Sequence, residues 1–106
     1  MRIGILHGWL LDGSGSNVYV RSLARALVER GHEVVVICQE PHPERFPGVG
    51  KVRVPEIDRG VMPVYVADTR YEGFARTLSF VELAGDPRLE RYLDEFARGA
   101  VAACRE

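Results

Sequence analysis

Residues 33–38 read Glu-Val-Val-Val-Ile-Cys, two positions after Gly31. Three successive valines and an isoleucine crowd a helix and suit a strand covered on both faces. What precedes them has a different period. Val20, Leu23, Ala24, Leu27 and Val28 fall at i, i+3, i+4, i+7 and i+8, one apolar helical face, with Arg21, Arg25, Glu29 and Arg30 opposite. Gly31 stands where a left-handed residue ends such a helix, and Ser16 or Asn17 is expected as its N-cap. Further upstream, Arg2 to Gly8 is a short apolar run, joined to the helix by a loop holding Asp12, Gly13, Ser14, Gly15 and Ser16. Strand, glycine loop, helix, glycine and apolar strand within about 40 residues make a βαβ unit with a right-handed crossover.

Beyond Cys38 the pattern loosens. Pro41, Pro43, Pro47, Gly48 and Gly50 mark a loop, Lys51–Val54 a short third strand, and Val61–Ala67 a fourth that Pro63 confines to an edge or to its first residues. Residues 68–85 lack a period and read as a long loop, with a turn or strand around Thr77–Leu83. Regularity returns at Asp86, an N-cap followed by Pro87 at the first helical position. Leu89, Leu93, Phe96, Ala97, Ala100, Val101 and Cys104 then form an apolar stripe, with Asp94 and Arg98 paired at i, i+4. The expected fold is α/β: a Rossmann-like three-layer domain with a mainly parallel sheet. No strand follows the last helix, so residues 1–106 read as a partial domain, incomplete at the C-terminus. A small domain that ends on a packed helix is the alternative.

The 106 residues allow one domain at most. Fourteen basic and fifteen acidic side chains leave a net charge of -1, which speaks against nucleic-acid binding through a basic surface. No apolar run approaches the ~20 residues of a membrane span, and the N-terminal stretch, broken by His7 and Asp12, is no signal peptide. Cys38 and Cys104 have neither CxxC spacing nor partner ligands and read as reduced thiols in a cytoplasmic protein. Neither they nor His7, His32 and His42 have metal-ligand spacing, so no metal is expected.

Glycines ahead of a helix N-terminus let backbone N–H groups approach an anion, so Gly13, Ser14, Gly15 and Ser16 form a candidate phosphate loop; a turn that binds nothing is the competing reading. The loop is no dinucleotide fingerprint, since Val18 takes the place of the third glycine, although Glu40 stands about where a ribose-binding acid belongs. It is no P-loop either, because Gly-Lys-Ser/Thr is absent. His7 lies at the carboxyl end of the first strand, where ligands of open α/β sheets gather; a histidine held by a backbone carbonyl explains it as well. His32 reads as structural, His42 as exposed, and Arg21 and Arg25 as a solvated helix face. Tyr65, Asp68, Arg70, Tyr71 and Glu72 cluster after the fourth strand and suit either a polar substrate or a surface loop.

Met-Arg-Ile-Gly-Ile-Leu, the Gly13–Ser16 loop, Asn17-Val18-Tyr19-Val20, Leu23-Ala24-Arg25-Ala26-Leu27 and Arg30-Gly31-His32-Glu33-Val34-Val35-Val36 occur in that order. This resembles the opening of a retaining GT-B glycosyltransferase of family 4. Pro63–Asp68 with Tyr71–Phe74 is similar to a stretch found in some of these transferases. Here the loop has Gly-Ser-Gly where the family often has adjacent glycines. The resemblance implies the acceptor-side Rossmann-like domain of a two-domain enzyme that moves a sugar from a nucleotide sugar to a hydroxyl acceptor, with retention and without a required metal or other cofactor. It implies that Gly13, Ser14, Gly15 and Ser16 lie near the donor phosphates, and that His7, Tyr19, Asp68 and Tyr71 border the acceptor. No catalytic residue is assigned. Nothing in the chain matches the family's donor-binding domain, so the chain alone is expected to be inactive.

Two other readings stay open. A stand-alone nucleotide- or protein-binding α/β module needs no second domain. A nicotinamide-dependent oxidoreductase is disfavoured by Val18. In the transferase and binding-module readings an unpartnered stripe on the last helix exposes apolar surface and favours a homodimer.

Overall fold

The computed structural model describes residues 1–13, 15–55, 62–64, 77–79 and 83–106. The elements, in chain order, are β1 (Arg2–Leu6), α1 (Ser16–Glu29), β2 (Glu33–Ile37), a 3-10 turn at Pro43–Arg45, β3 (Lys51–Arg53), β4 (Met62–Val64), β5 (Thr77–Ser79) and α2 (Pro87–Cys104). The chain divides into two compact units, Met1–Pro55 with Gly99–Glu106, and Glu56–Arg98.

The first unit is the α/β fold expected from the sequence, built on a three-stranded parallel sheet. Its strand order is β1-β2-β3, with Arg2 opposite Glu33, Leu6 opposite Ile37 and Val35 opposite Lys51. β2 is central, which explains why its residues are apolar almost without interruption. Val34, Val36 and Cys38 alternate onto the face that carries α1, where they meet Val20, Ala24, Leu11 and Val49, flanked by Ile5, Leu27, Val28, Phe46 and Val52. Asn17 is buried on the same helix, while Leu23 sits at the rim, 37% exposed.

α1 ends as Gly31 foretells. Gly31 has φ 87°, its N–H reaches the Val28 carbonyl at 2.9 Å, and the His32 N–H reaches the Leu27 carbonyl at 3.1 Å. Two carbonyls that the helix would leave unpaired are thus satisfied in one left-handed turn. The 41–50 loop is more than a connection, because Val49 is fully buried and Phe46 packs on the core. Gly50 brings this loop against β2: a Cβ there would collide with the Val34 carbonyl oxygen, and φ is 87°.

The opposite face of the sheet meets the end of α2. Gly4, Val35 and Ile37 line a shallow, mainly apolar cavity with Ala103 and Cys104. Gly99 lies against Pro55, and Arg53 Nε pairs with Glu106 Oε2 at 2.6 Å. Helix, sheet and helix end give this unit its three layers.

In the second unit β4 and β5 pair in parallel, with Pro63 opposite Leu78. Among the described residues this sheet has two strands, and Pro63 is the second residue of β4. α2 begins as expected: Asp86 Oδ1 accepts the Arg88 N–H at 2.9 Å, with Pro87 at the first position. Its buried side differs from the expected stripe. Of the stripe, Ala100 is buried and Leu89 and Phe96 are half-buried as expected, whereas Leu93 and Val101 are 52% and 50% exposed, Ala97 and Cys104 are exposed, and Tyr92 and Ala103 are buried instead. At the helix end the backbone at Gly99 lies close against Pro55, which leaves room inward for the small Ala100 and Ala103.

Candidate functional site

The carboxyl ends of β1 and β2 and the N-terminus of α1 meet at residues 7–17. The expected N-cap is corrected here. Gly15 caps α1 with φ 61° and ψ -126°, Ser16 is already helical, and no side chain caps the helix. Only glycine adopts such a backbone without strain. Asn17 does other work: its Nδ2 donates to the Asp12 carbonyl at 2.6 Å, and its Oδ1 accepts from His7. The first turn also lacks an acidic residue. The N–H groups of Ser16, Asn17 and Val18 precede the first intrahelical bond, which runs from the Tyr19 N–H to the Gly15 carbonyl. They point out of the helix with its partial positive charge behind them.

The loop ahead of this turn is held from both sides. Glu40 is only 2% exposed, and its Oε2 accepts the N–H groups of Leu11 at 2.8 Å and Asp12 at 3.1 Å. Its Oε1 accepts the His42 N–H at 3.1 Å. The Leu11 carbonyl in turn accepts from Arg21 Nη1 at 2.8 Å, and the Arg21 guanidinium lies 5.5 Å from the centre of the Phe46 ring. Leu11 itself is fully buried. Arg25 is exposed and Arg21 half-buried, as a solvated helix face requires, and Arg25 Nε also donates to the Pro47 carbonyl at 3.3 Å. Each guanidinium ties a loop carbonyl to α1.

His7 contributes to the same network. Its Nε2 lies 2.9 Å from the Leu10 carbonyl and 2.8 Å from Asn17 Oδ1. Both partners are oxygens paired as acceptors, so Nε2 carries the proton. Its bond to a loop carbonyl is the structural role that the sequence left open. Tyr19, one turn into α1, is 67% exposed. His42 is half-buried, not simply exposed, with Nδ1 3.3 Å from Glu44 Oε1. Gly13, with φ 94°, donates its N–H to the Asp12 carboxylate at 2.8 Å. Ser14, Asp68 and Tyr71 lie outside the described residues.

The structure thus brings Gly13, Gly15, Ser16 and His7 together at one sheet edge. It adds Asn17, Glu40 and Arg21, which the sequence did not single out for this role. For Glu40 a signal was present: an acid directly after a buried strand needs a partner. That partner is the loop backbone, which donates to both carboxylate oxygens. Neighbouring Cys38 is buried, which pushes its thiol up to about 11 and leaves it inert at neutral pH. Among the described residues no three His, Cys, Asp or Glu side chains gather as a metal site.

A family model described as a glycosyl transferase 4-like domain matches residues 14–103. The chain belongs to the glycosyl transferase 4-like domain family. An MMP alpha-(1->4)-mannosyltransferase of Mycolicibacterium hassiacum is 47% identical over 45 residues, which cover 42% of this chain and 11% of that protein. The matched stretch thus spans about a tenth of this curated relative. No solved structure matches the chain significantly. The glycosyl transferase 4-like match covers α1, β2 and most of α2, and it begins inside the glycine loop. No helix among the described residues is long and apolar enough to cross a membrane.

Proposed function

We propose that residues 1–106 form part of the acceptor-side, N-terminal Rossmann-like domain of a GT-B glycosyltransferase. The enzyme would move a hexosyl group from a nucleotide sugar to a hydroxyl acceptor in the cytoplasm. The observation that carries this reading is the uncapped N-terminus of α1 at the carboxyl edge of a parallel sheet, in a chain of the glycosyl transferase 4-like family. Three unpaired N–H groups and the helix dipole suit a leaving diphosphate, whose charge grows as the glycosidic bond breaks. The Glu40 bonds to the Leu11 and Asp12 amides hold the segment that leads toward this turn, an arrangement that favours a preorganised site.

In this reading Gly13, Ser14, Gly15 and Ser16 form the donor-phosphate loop. His7 acts as a support, because its Nε2 proton is committed to Leu10 and Asn17. Exposed Tyr19, with Asp68 and Tyr71, borders the acceptor. The relative's mannosyl transfer makes mannosyl donors the first class to test. The exposed Leu93 and Val101 on α2 support a second contact surface, a homodimer in the simplest case.

The test is titration of the chain with inorganic pyrophosphate and with nucleoside diphosphates, followed by heteronuclear NMR. Perturbation centred on the Ser16, Asn17 and Val18 amides is the expected result. Shifts confined to other residues would exclude the loop from donor binding. Gly15→Val should abolish the response, since valine cannot adopt φ 61° with ψ -126° without strain of about 1–3 kcal/mol.

A further inference from the structure

The network around Leu11 divides the loop amides into two sets. Leu11, Asp12 and His42 give their N–H groups to Glu40, and Gly13 gives its own to Asp12. Ser16, Asn17 and Val18 give theirs to nothing within the helix. A carboxylate that is 2% exposed carries a large desolvation cost unless its oxygens are satisfied, so these three bonds hold the charge in place and the charge holds the loop. Arg21 takes the carbonyl of the same Leu11 residue from the other side. The peptide groups on both sides of Leu11 are therefore fixed, and the chain reaches Gly15 four residues later with its direction set.

We propose that Glu40 is the positioning residue of the donor-phosphate loop: by binding the Leu11 and Asp12 amides it fixes the backbone so that the open amides of α1's first turn face the diphosphate. The inference rests on the reading of this loop under Proposed function. It also sets a limit on where the anion sits. The Leu11 and Asp12 amides are unavailable to a phosphate, so the ligand engages residues beyond Asp12 and not the 11–12 segment itself. The substituted group acts through the loop and touches no substrate.

Glu40→Gln is the direct test, because the amide nitrogen would face backbone donors that now meet an oxygen. Hydrogen exchange should be at least tenfold faster at Leu11, Asp12 or His42 and unchanged at Val34 and Val36. Affinity for inorganic pyrophosphate, measured by calorimetry on the 106-residue chain, should fall at least fivefold with melting behaviour retained. Arg25→Ala, which frees only the Pro47 carbonyl, should leave that affinity unchanged. Should Glu40→Gln not fold, Glu40→Asp keeps the charge on a shorter arm and is read in the same way. Unchanged pyrophosphate affinity in a variant with faster loop exchange would overturn the positioning role and leave the loop reading standing. Unchanged loop exchange would overturn it as well. If the unsubstituted chain binds no pyrophosphate, the loop reading itself fails and the positioning role falls with it.

Discussion

Gly99 shows how one missing side chain can decide where a helix lies. In the interior of an exposed helix, glycine costs about 1 kcal/mol relative to alanine, so Gly99→Ala would ordinarily stabilise α2. Here the new Cβ would collide with Pro55 Cβ and lie 2.9 Å from its Cγ. Proline cannot yield by rotation, so the helix end must move. Gly99→Ala should therefore destabilise the fold by about 1–3 kcal/mol, read as a lower denaturant midpoint. Gly4→Ala, where no atom lies within 4 Å of the added carbon, is the control and should be near neutral. The Asp86–Arg88 pair is a second effect at this scale. Bidentate hydrogen bonds from Arg88, at 2.6 and 3.0 Å to Oδ2, hold the Asp86 carboxyl down at about 2. A depressed value stabilises the helix start above the ordinary carboxylate range, and that contribution is lost as pH falls from about 4 to 2. An NMR titration should place the Asp86 midpoint near 2, and Arg88→Ala should raise it toward 3.8.

At the scale of elements, β1, α1 and β2 were legible because each has one unbroken period and a marked end. Gly31 closes α1, and the valines of β2 have no other use than a covered strand. The helix starts were less legible. Asp86 caps α2 as its chemistry suggests, but α1 begins at a glycine, because Asn17 bonds the loop and His7 instead of the helix. The buried side of α2 was misread for a related reason. Ala100 was placed correctly, but hydrophobicity ranks Leu93 and Val101 above Ala103, whereas packing favours small residues where a backbone approaches closely. Of the site, the glycines could be read in advance, because positive φ leaves few alternatives. The Glu40 and Arg21 bonds could not, because they join residues far apart in sequence that share no spacing rule. The empty cap of α1 yields a prediction. Ser16→Asp would place a carboxylate in a first turn that has none, and should stabilise the helix by about 0.3–1 kcal/mol. The same charge would repel a diphosphate. Thermal stability should rise and pyrophosphate affinity should fall in one variant, and a rise in both would separate the helix tip from the anion site.

For the molecule as a whole, the two thiols report on its packing from opposite sides. Cys104 is exposed at the end of α2, and Cys38 is fully buried in the core between the sheet and α1. A disulfide reagent near pH 8 should modify Cys104 at once, because its sulfur is open to solvent. Cys38 should wait. Its thiol is held up to about 11, and no reagent reaches it unless the sheet and α1 separate. The slow phase of labelling then measures global opening, and it should speed up with denaturant by the full unfolding dependence. The same thiol sets a pH limit. Between its ordinary value of 9 and the folded value of about 11, the unfolded chain has released a proton that the folded chain still holds. Stability is therefore full below about pH 9 and falls through that window, by on the order of 2–3 kcal/mol. Tyr92, which burial pushes up to about 12, adds a loss of the same sign at higher pH, beginning at its ordinary value of 10. Cys38→Ala should lower stability at neutral pH by about 1 kcal/mol through the small cavity it leaves. It should also remove the decline between pH 9 and 10, where Tyr92 does not yet contribute. If that variant keeps the full decline in this interval, Cys38 is not the group that sets it. If both thiols in the parent chain label at one rate, the core between α1 and β2 is not closed.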